Sequence, residues 1–171
     1  MRRLKEAYDQ LEETTMQKER IESELRIARD IQMSMVPNVF PKTEHLDLYA
    51  SMTPAREVGG DLYDYLLLDE NRLFFCVGDV SGKGVPASLV MAQTTRLFRS
   101  LSTQEKEPAQ IAQIINAEMM DNQATHGMFV TMFIGLLNLR TGRLQFCNAD
   151  HNPPVLGGGD SGATFLEINA D

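Results

Sequence analysis

The sequence predicts an α+β domain preceded by a long N-terminal helix. Three observations carry this expectation. Residues 1–35 contain no glycine or proline and are rich in Glu, Lys, Arg and Gln. The strand-like stretches beyond them come in pairs joined by short polar turns, as in β-hairpins. Two helical stretches stand consecutively between those pairs, an order that favours antiparallel strands with helices on one side over a doubly wound parallel sheet.

In the first helix Leu4, Leu11, Lys18 and Leu25 recur every seven residues, and Ala7, Thr14, Ile21 and Ala28 form a second line. This is an imperfect a/d heptad, weakened in the middle by Thr14 and Lys18. Seven basic and eight acidic residues nearly balance along it, as on a solvated helix with salt-bridged flanks. Residues 1–36 are therefore expected to be a helical linker that pairs as a dimeric coiled coil; the alternative is one amphipathic helix packing on the adjoining domain. Pro37 and Pro41 end it. The globular part is assigned to residues 46–171. Asp47 to Met52 reads as a strand, and Leu62–Leu68 and Arg72–Val80 as a hairpin around Asp69-Glu70-Asn71. Pro86 suits the first turn of a helix running to about Ser102, with Leu89, Val90, Ala92, Leu97 and Phe98 inward. A second helix spans about Pro108 to Asn122, with Ile111, Ile114, Ile115 and Met119 inward. Phe129–Leu139 and Arg143–Asn148 form another hairpin, and Thr164–Ile168 begins a further strand.

The chemistry concentrates in two glycine-flanked acidic motifs, Gly59-Gly60-Asp61-Leu62-Tyr63-Asp64 and Gly78-Asp79-Val80-Ser81-Gly82-Lys83-Gly84. Glycine lets the backbone turn tightly and approach a ligand. With the hairpin turn centred on Glu70, facing residue numbers sum to 140, so Asp61 lies opposite Asp79. Opposed Cβ atoms in such a pair are ~4.5–5.5 Å apart. Two ionised carboxylates at that spacing repel unless one is protonated or a cation lies between them. Hard divalent cations take such oxygen ligands. A register slip of one residue would send the two side chains to opposite faces.

Composition narrows the classes. The 171 residues are 43% hydrophobic, enough for a packed core. The net charge of −8 disfavours a nucleic-acid partner. No apolar run is long enough to span a bilayer, and the N-terminus lacks a signal-peptide core, so a cytoplasmic location is expected. Cys76 and Cys147 sit in apolar strand patterns and read as reduced, buried thiols.

The motifs together resemble the SpoIIE/RsbU-like branch of the PPM metal-dependent serine/threonine phosphatases. The resemblance is carried in order by Ala28-Arg29-Asp30-Ile31-Gln32, Pro54 to Asp61, Val77 to Ala87, Met128-Phe129-Val130-Thr131 and His151-Asn152-Pro153-Pro154. It implies two stacked antiparallel sheets flanked by helices and a two-metal centre of Mn²⁺ or Mg²⁺. Asp79 would bridge the metals, the Val80 backbone carbonyl would ligate one, and Asp61 would bind from the opposite side, directly or through water. Asp61 and Asp79 would act through metal-activated water on a phosphoserine or phosphothreonine. The implied substrate is a phosphorylated STAS-type anti-sigma-factor antagonist, with an upstream sensor or receiver domain acting through the N-terminal helix. The family's domain continues past residue 171 with an Asp-Gly motif and a late aspartate, both metal ligands, which nothing here replaces. The alternative reading is therefore a catalytically incomplete domain that serves as a binding or regulatory module. Asp150 stands where the family usually has glycine, a position that aspartate tolerates at positive φ better than most residues.

Other residues read more plainly. Asp64 is expected to be a local hydrogen-bonding or surface residue. Ser81-Gly82-Lys83-Gly84 fails the P-loop spacing, and Lys83 is taken as surface-exposed or substrate-facing. His151 is read as a turn residue before a ligand or an acid, and His45 and His126 as solvated. Arg56 and Glu57 either pair with each other or orient a phosphate.

Overall fold

A computed structural model of the chain describes residues 2–54, 56–121, 127–157 and 162–166. His126 lies outside the described residues, as does the Glu167–Ile168 end of the last expected strand. Helix α1 spans Arg2–Met35. Strands β1 (Leu62–Leu67) and β2 (Arg72–Val80) come next, then helices α2 (Val85–Ser102) and α3 (Pro108–Asp121). Strands β3 (Val130–Asn138), β4 (Leu144–Ala149), β5 (Val155–Gly157) and β6 (Ala163–Phe165) complete the order. The α+β class is as expected. All pairings are antiparallel, in a four-stranded sheet ordered β1-β2-β3-β4 and a second, two-stranded sheet of β5 and β6. Residues 47–52 differ from expectation. They form no strand, because their backbone gains only a single bridge, Lys42 to Asp47.

The hairpin turns have local causes. The Asp69 carboxylate accepts the Asn71 amide (2.8 Å) and holds Arg72 (2.6 Å), fixing the short turn between β1 and β2. The Asn138 side chain accepts the Arg140 and Thr141 amides at 3.1 and 2.9 Å, and Gly142 takes φ 71° between β3 and β4. The resulting register of β1 and β2 pairs Leu62 with Gly78 and Tyr63 with Val77, so facing numbers sum to 140 as the turn length predicts.

One face of the large sheet packs on the helices. Leu62, Phe74, Cys76, Val80, Met132 and Ile134 meet Met91, Phe98 and Ile111 in a core whose members are at most 8% exposed. Helix α2 buries Ala87, Met91, Thr94, Phe98 and Leu101, a line at spacings of three and four residues. Leu89 is off that line and 66% exposed, contrary to the sequence expectation. Burial pushes the Cys76 thiol well up, which suits an inert thiol. Both cysteines are unpaired.

Asp64 and Arg99 brace β1 to α2. Asp64 is 2% exposed, its Oδ2 accepts Arg99 Nε at 2.9 Å, and its Oδ1 pairs with Arg99 Nη2. Asp64 also accepts the Tyr65 amide (2.8 Å). It is thus the local hydrogen-bonding residue expected, but buried. Burial raises its carboxyl above the ordinary range, and the Arg99 guanidinium only partly offsets that.

Helix α1 has two regimes. Through Glu22 it is exposed, with Leu4, Leu11 and Ile21 at 55–70% exposure. Salt bridges Lys18–Glu22 (3.7 Å) and Arg20–Glu24 (3.0 Å) run along it. From Leu25 onward it leans on the domain through Ala28, Gln32 and Met33. Among the described residues no helix is long and apolar enough to cross a membrane.

Candidate metal centre

The register that pairs Leu62 with Gly78 brings Asp61 across from Asp79, and the next strand pairs Asp79 with Thr131. Asp61, one residue before β1, thus falls in one row with Asp79 of β2 and Thr131 of β3 at one end of the sheet. The chain leaves β4 at Ala149, turns through Asp150 at φ 57°, and returns His151 to this row. That positive φ fits the expectation for a position that usually holds glycine. The His151 amide donates to Asn148 Oδ1 (2.8 Å), and its carbonyl accepts Asn148 Nδ2 (2.9 Å). Its Nδ1 lies 3.0 Å from Thr131 Oγ1. His151 is therefore the turn residue expected, and it is also beside the carboxylates.

The electrostatics agree with this placement. The Asp61 carboxyl is raised above its ordinary range, first by partial burial and next by the charge of Asp79, while His151 acts in the lowering direction. A cleft of about 150 Å³ holds the pair, lined also by Arg56, Gly59, Gly60 and Lys83. Glu57 approaches Arg29 (3.9 Å) rather than Arg56. Arg56 and Lys83 make no ion pair among the described residues, so both present free cationic groups at the cleft. His45 is exposed, as expected.

Gly60 shapes the floor. A Cβ there would meet the Val80 carbonyl oxygen at 2.8 Å. The Val80 amide donates to the Gly60 carbonyl (3.3 Å), and among the described residues no reciprocal bond runs from the Gly60 amide to the Val80 carbonyl. The Val80 oxygen and two carboxylates make a hard, all-oxygen donor set. Such a set fits Mg²⁺ or Mn²⁺, and Mg²⁺ commonly takes one or two carboxylates and keeps its remaining ligands as water. Among the described residues no group of three or more His, Cys, Asp or Glu side chains is placed to hold a metal.

The sequence marks Gln32 only as the last residue of the Ala28-Arg29-Asp30-Ile31-Gln32 segment, and its clamp on the first motif is not read from it. Gln32 of α1, 4% exposed, donates to the Gly59 carbonyl (2.7 Å) and accepts the Gly59 amide (3.1 Å). Both polar groups of a backbone unit two residues before Asp61 are thereby fixed from the linker helix. Gln32→Ala is expected to cost about 1–3 kcal/mol by leaving these groups unsatisfied. That corresponds to a melting temperature lower by roughly 2–4 °C per kcal/mol. Amide exchange at residues 59–61 should rise with it. A variant with unchanged melting and exchange would refute the clamp.

The fold and this acidic cleft define an α+β domain of the PPM phosphatase type. The signature described as Stage II sporulation protein E (SpoIIE) matches residues 69–171, and the chain belongs to this family, in its RsbU-like branch. The match includes Asp79 and His151 and begins after Asp61. Phosphoserine phosphatase RsbU of Bacillus subtilis (strain 168) is 30% identical over 133 residues, covering 78% of this chain and 39% of that protein. Phosphoserine phosphatase RsbP of the same organism is 29% identical, covering 84% and 36%. Protein IcfG of Synechocystis sp. (strain ATCC 27184 / PCC 6803 / Kazusa) is 32% identical, covering 76% and 25%. The crystal structure of the RsbU and RsbW domains of Rv1364c from Mycobacterium tuberculosis superposes with a TM-score of 0.58 at 30% identity, over 67% of this chain and 32% of that one. The chain thus spans less than two fifths of the length of each of these relatives.

Proposed function

We propose that this chain belongs to a divalent-metal-dependent protein serine/threonine phosphatase of a bacterial signalling pathway. The observation that carries the reading is the carboxylate pair, Asp61 opposite Asp79, at the sheet end beside the Val80 carbonyl. Two RsbU-branch relatives named phosphoserine phosphatases support it. Asp61, Asp79 and the Val80 carbonyl would hold Mn²⁺ or Mg²⁺ in a two-metal centre. When bound, the ions supply Lewis acidity that activates water and offsets charge on the phosphoryl group. The free Arg56 and Lys83 groups draw the phosphate of the substrate into the cleft. The substrate we assign is a phosphorylated STAS-type anti-sigma-factor antagonist, met in the cytoplasm.

The test is release of phosphate from a phosphoserine protein by the full-length protein with Mn²⁺ added. No release with metal, while Mn²⁺ still binds, would exclude the reading. The two-carboxylate set favours one alternative, a phosphatase-fold module that binds a phosphoprotein without turning it over; retention of the phosphoprotein with no phosphate release would establish that.

Helix α1 is proposed to pair with a second copy and to carry a signal from an upstream sensor or receiver domain to Gln32. Its exposed Leu4, Leu11 and Ile21 are the seam. Leu4→Ala with Leu11→Ala is expected to shift sedimentation from dimer toward monomer. An unchanged sedimentation profile would sink the coiled-coil proposal.

A further inference from the structure

We propose that His151 is a catalytic residue that hands a proton to the departing oxygen of the substrate. The inference rests on the phosphatase reading and deepens it. Three observations carry it. The His151 backbone is held on both sides by the Asn148 side chain, at 2.8 and 2.9 Å. Its ring is held at Nδ1 by Thr131 Oγ1, at 3.0 Å, and Thr131 is the cross-strand neighbour of Asp79. The ring is close enough to Asp61 to act on its carboxyl electrostatically.

A histidine that served only the turn would need the Asn148 bonds and nothing more. Here the ring is oriented as well, and Nε2 has no hydrogen-bond partner among the described residues. The Thr131 hydroxyl lies 3.0 Å from Nδ1 and 3.4 Å from the Asp79 carbonyl. The Asp79 carbonyl can only accept, so the Thr131 hydroxyl gives its hydrogen there and its oxygen accepts the Nδ1 proton of His151. With Nδ1–H donating to Thr131, the imidazolium form of the ring carries its second proton on Nε2, the nitrogen left free, and this form is the acid.

Atoms and charge balance in this step. A water oxygen forms its bond to phosphorus while the bond from phosphorus to the seryl or threonyl oxygen breaks. That oxygen leaves with the Nε2 proton of the imidazolium, which becomes neutral imidazole, and a proton shed by the attacking water restores the imidazolium. An alkoxide is a poor leaving group and gains from this donation; a nitrophenolate is a good one and does not. General acids of this kind contribute ~10²–10⁴-fold.

The full-length protein with Mn²⁺ added is assayed on a phosphoserine peptide and on p-nitrophenyl phosphate. His151→Gln is expected to lower kcat on the peptide by about 10²-fold or more while changing it far less on p-nitrophenyl phosphate. Thr131→Val should shift the ratio of the two substrates in the same direction by less. Equal losses on both substrates, or no loss on the peptide, would overturn the role. If His151→Gln fails to fold, as read by its melting temperature, the substrate ratio of Thr131→Val decides alone. A wild-type protein inactive on both substrates removes the phosphatase reading and this inference with it. Activity confined to p-nitrophenyl phosphate overturns the inference alone.

Discussion

Asp79→Asn is expected to abolish Mn²⁺-dependent phosphate release, by at least about 10³-fold, while raising the stability of the metal-free protein. The two effects have one cause. Asp61 and Asp79 face each other across β1 and β2, and like charges directly opposed destabilise a strand pair by ~0.2–1 kcal/mol. Removing one charge relieves that repulsion and removes the charge that would hold the cation. The folded-state Asp61 carboxyl lies above its ordinary value, so its ionisation favours the unfolded chain. The stabilisation by Asp79→Asn should therefore be fully present above that raised carboxyl range and fade as pH falls through it. Thermal unfolding without and with Mn²⁺ checks both halves. The wild type should gain melting temperature from Mn²⁺ and the variant should not. A variant that keeps its activity would remove Asp79 from the proposed centre.

Arg99→Met is expected to give the largest loss of stability. Asp64 is 2% exposed and bonds Arg99 through both carboxylate oxygens. Removing one partner of a fully buried pair costs ~3–5 kcal/mol, because the other charge is left uncompensated. The Arg99 side chain stays 42% exposed, so solvent screening lowers the expectation to about 2–3 kcal/mol. Methionine keeps the aliphatic packing of α2, which isolates the charge effect. Without Arg99 the raised Asp64 carboxyl rises further. The destabilisation should then be largest near neutral pH and shrink as pH falls and Asp64 becomes neutral. Urea unfolding at neutral and acidic pH measures this. A pH-independent loss would show that packing, not charge, is what Arg99 provides.

These two pairs differ in how legible they are in the sequence. The Asp61–Asp79 pairing is legible because a short turn fixes a hairpin register and a register fixes which side chains face one another. The helices are legible from periodicity and proline, and the positive φ at Asp150 from the motif around it. The inward face of α2 is misjudged at Leu89, since hydrophobicity marks a residue but tertiary packing selects the stripe. The strand expected at 47–52 does not form, because strand character is realised only where a neighbour completes the ladder.

By itself, the sequence determined the α+β order of elements, the hairpin register and the opposed carboxylates, all of which derive from local periodicity and turn length. Only the tertiary structure decided that Gln32 grips Gly59 across 27 residues, that Arg99 reaches Asp64 across 35, and that His151 meets Thr131 across 20. Each of these contacts depends on how helices and strands dock. Docking is set by the burial of whole faces, and no local pattern in the chain encodes which distant polar group that burial will bring within hydrogen-bonding reach.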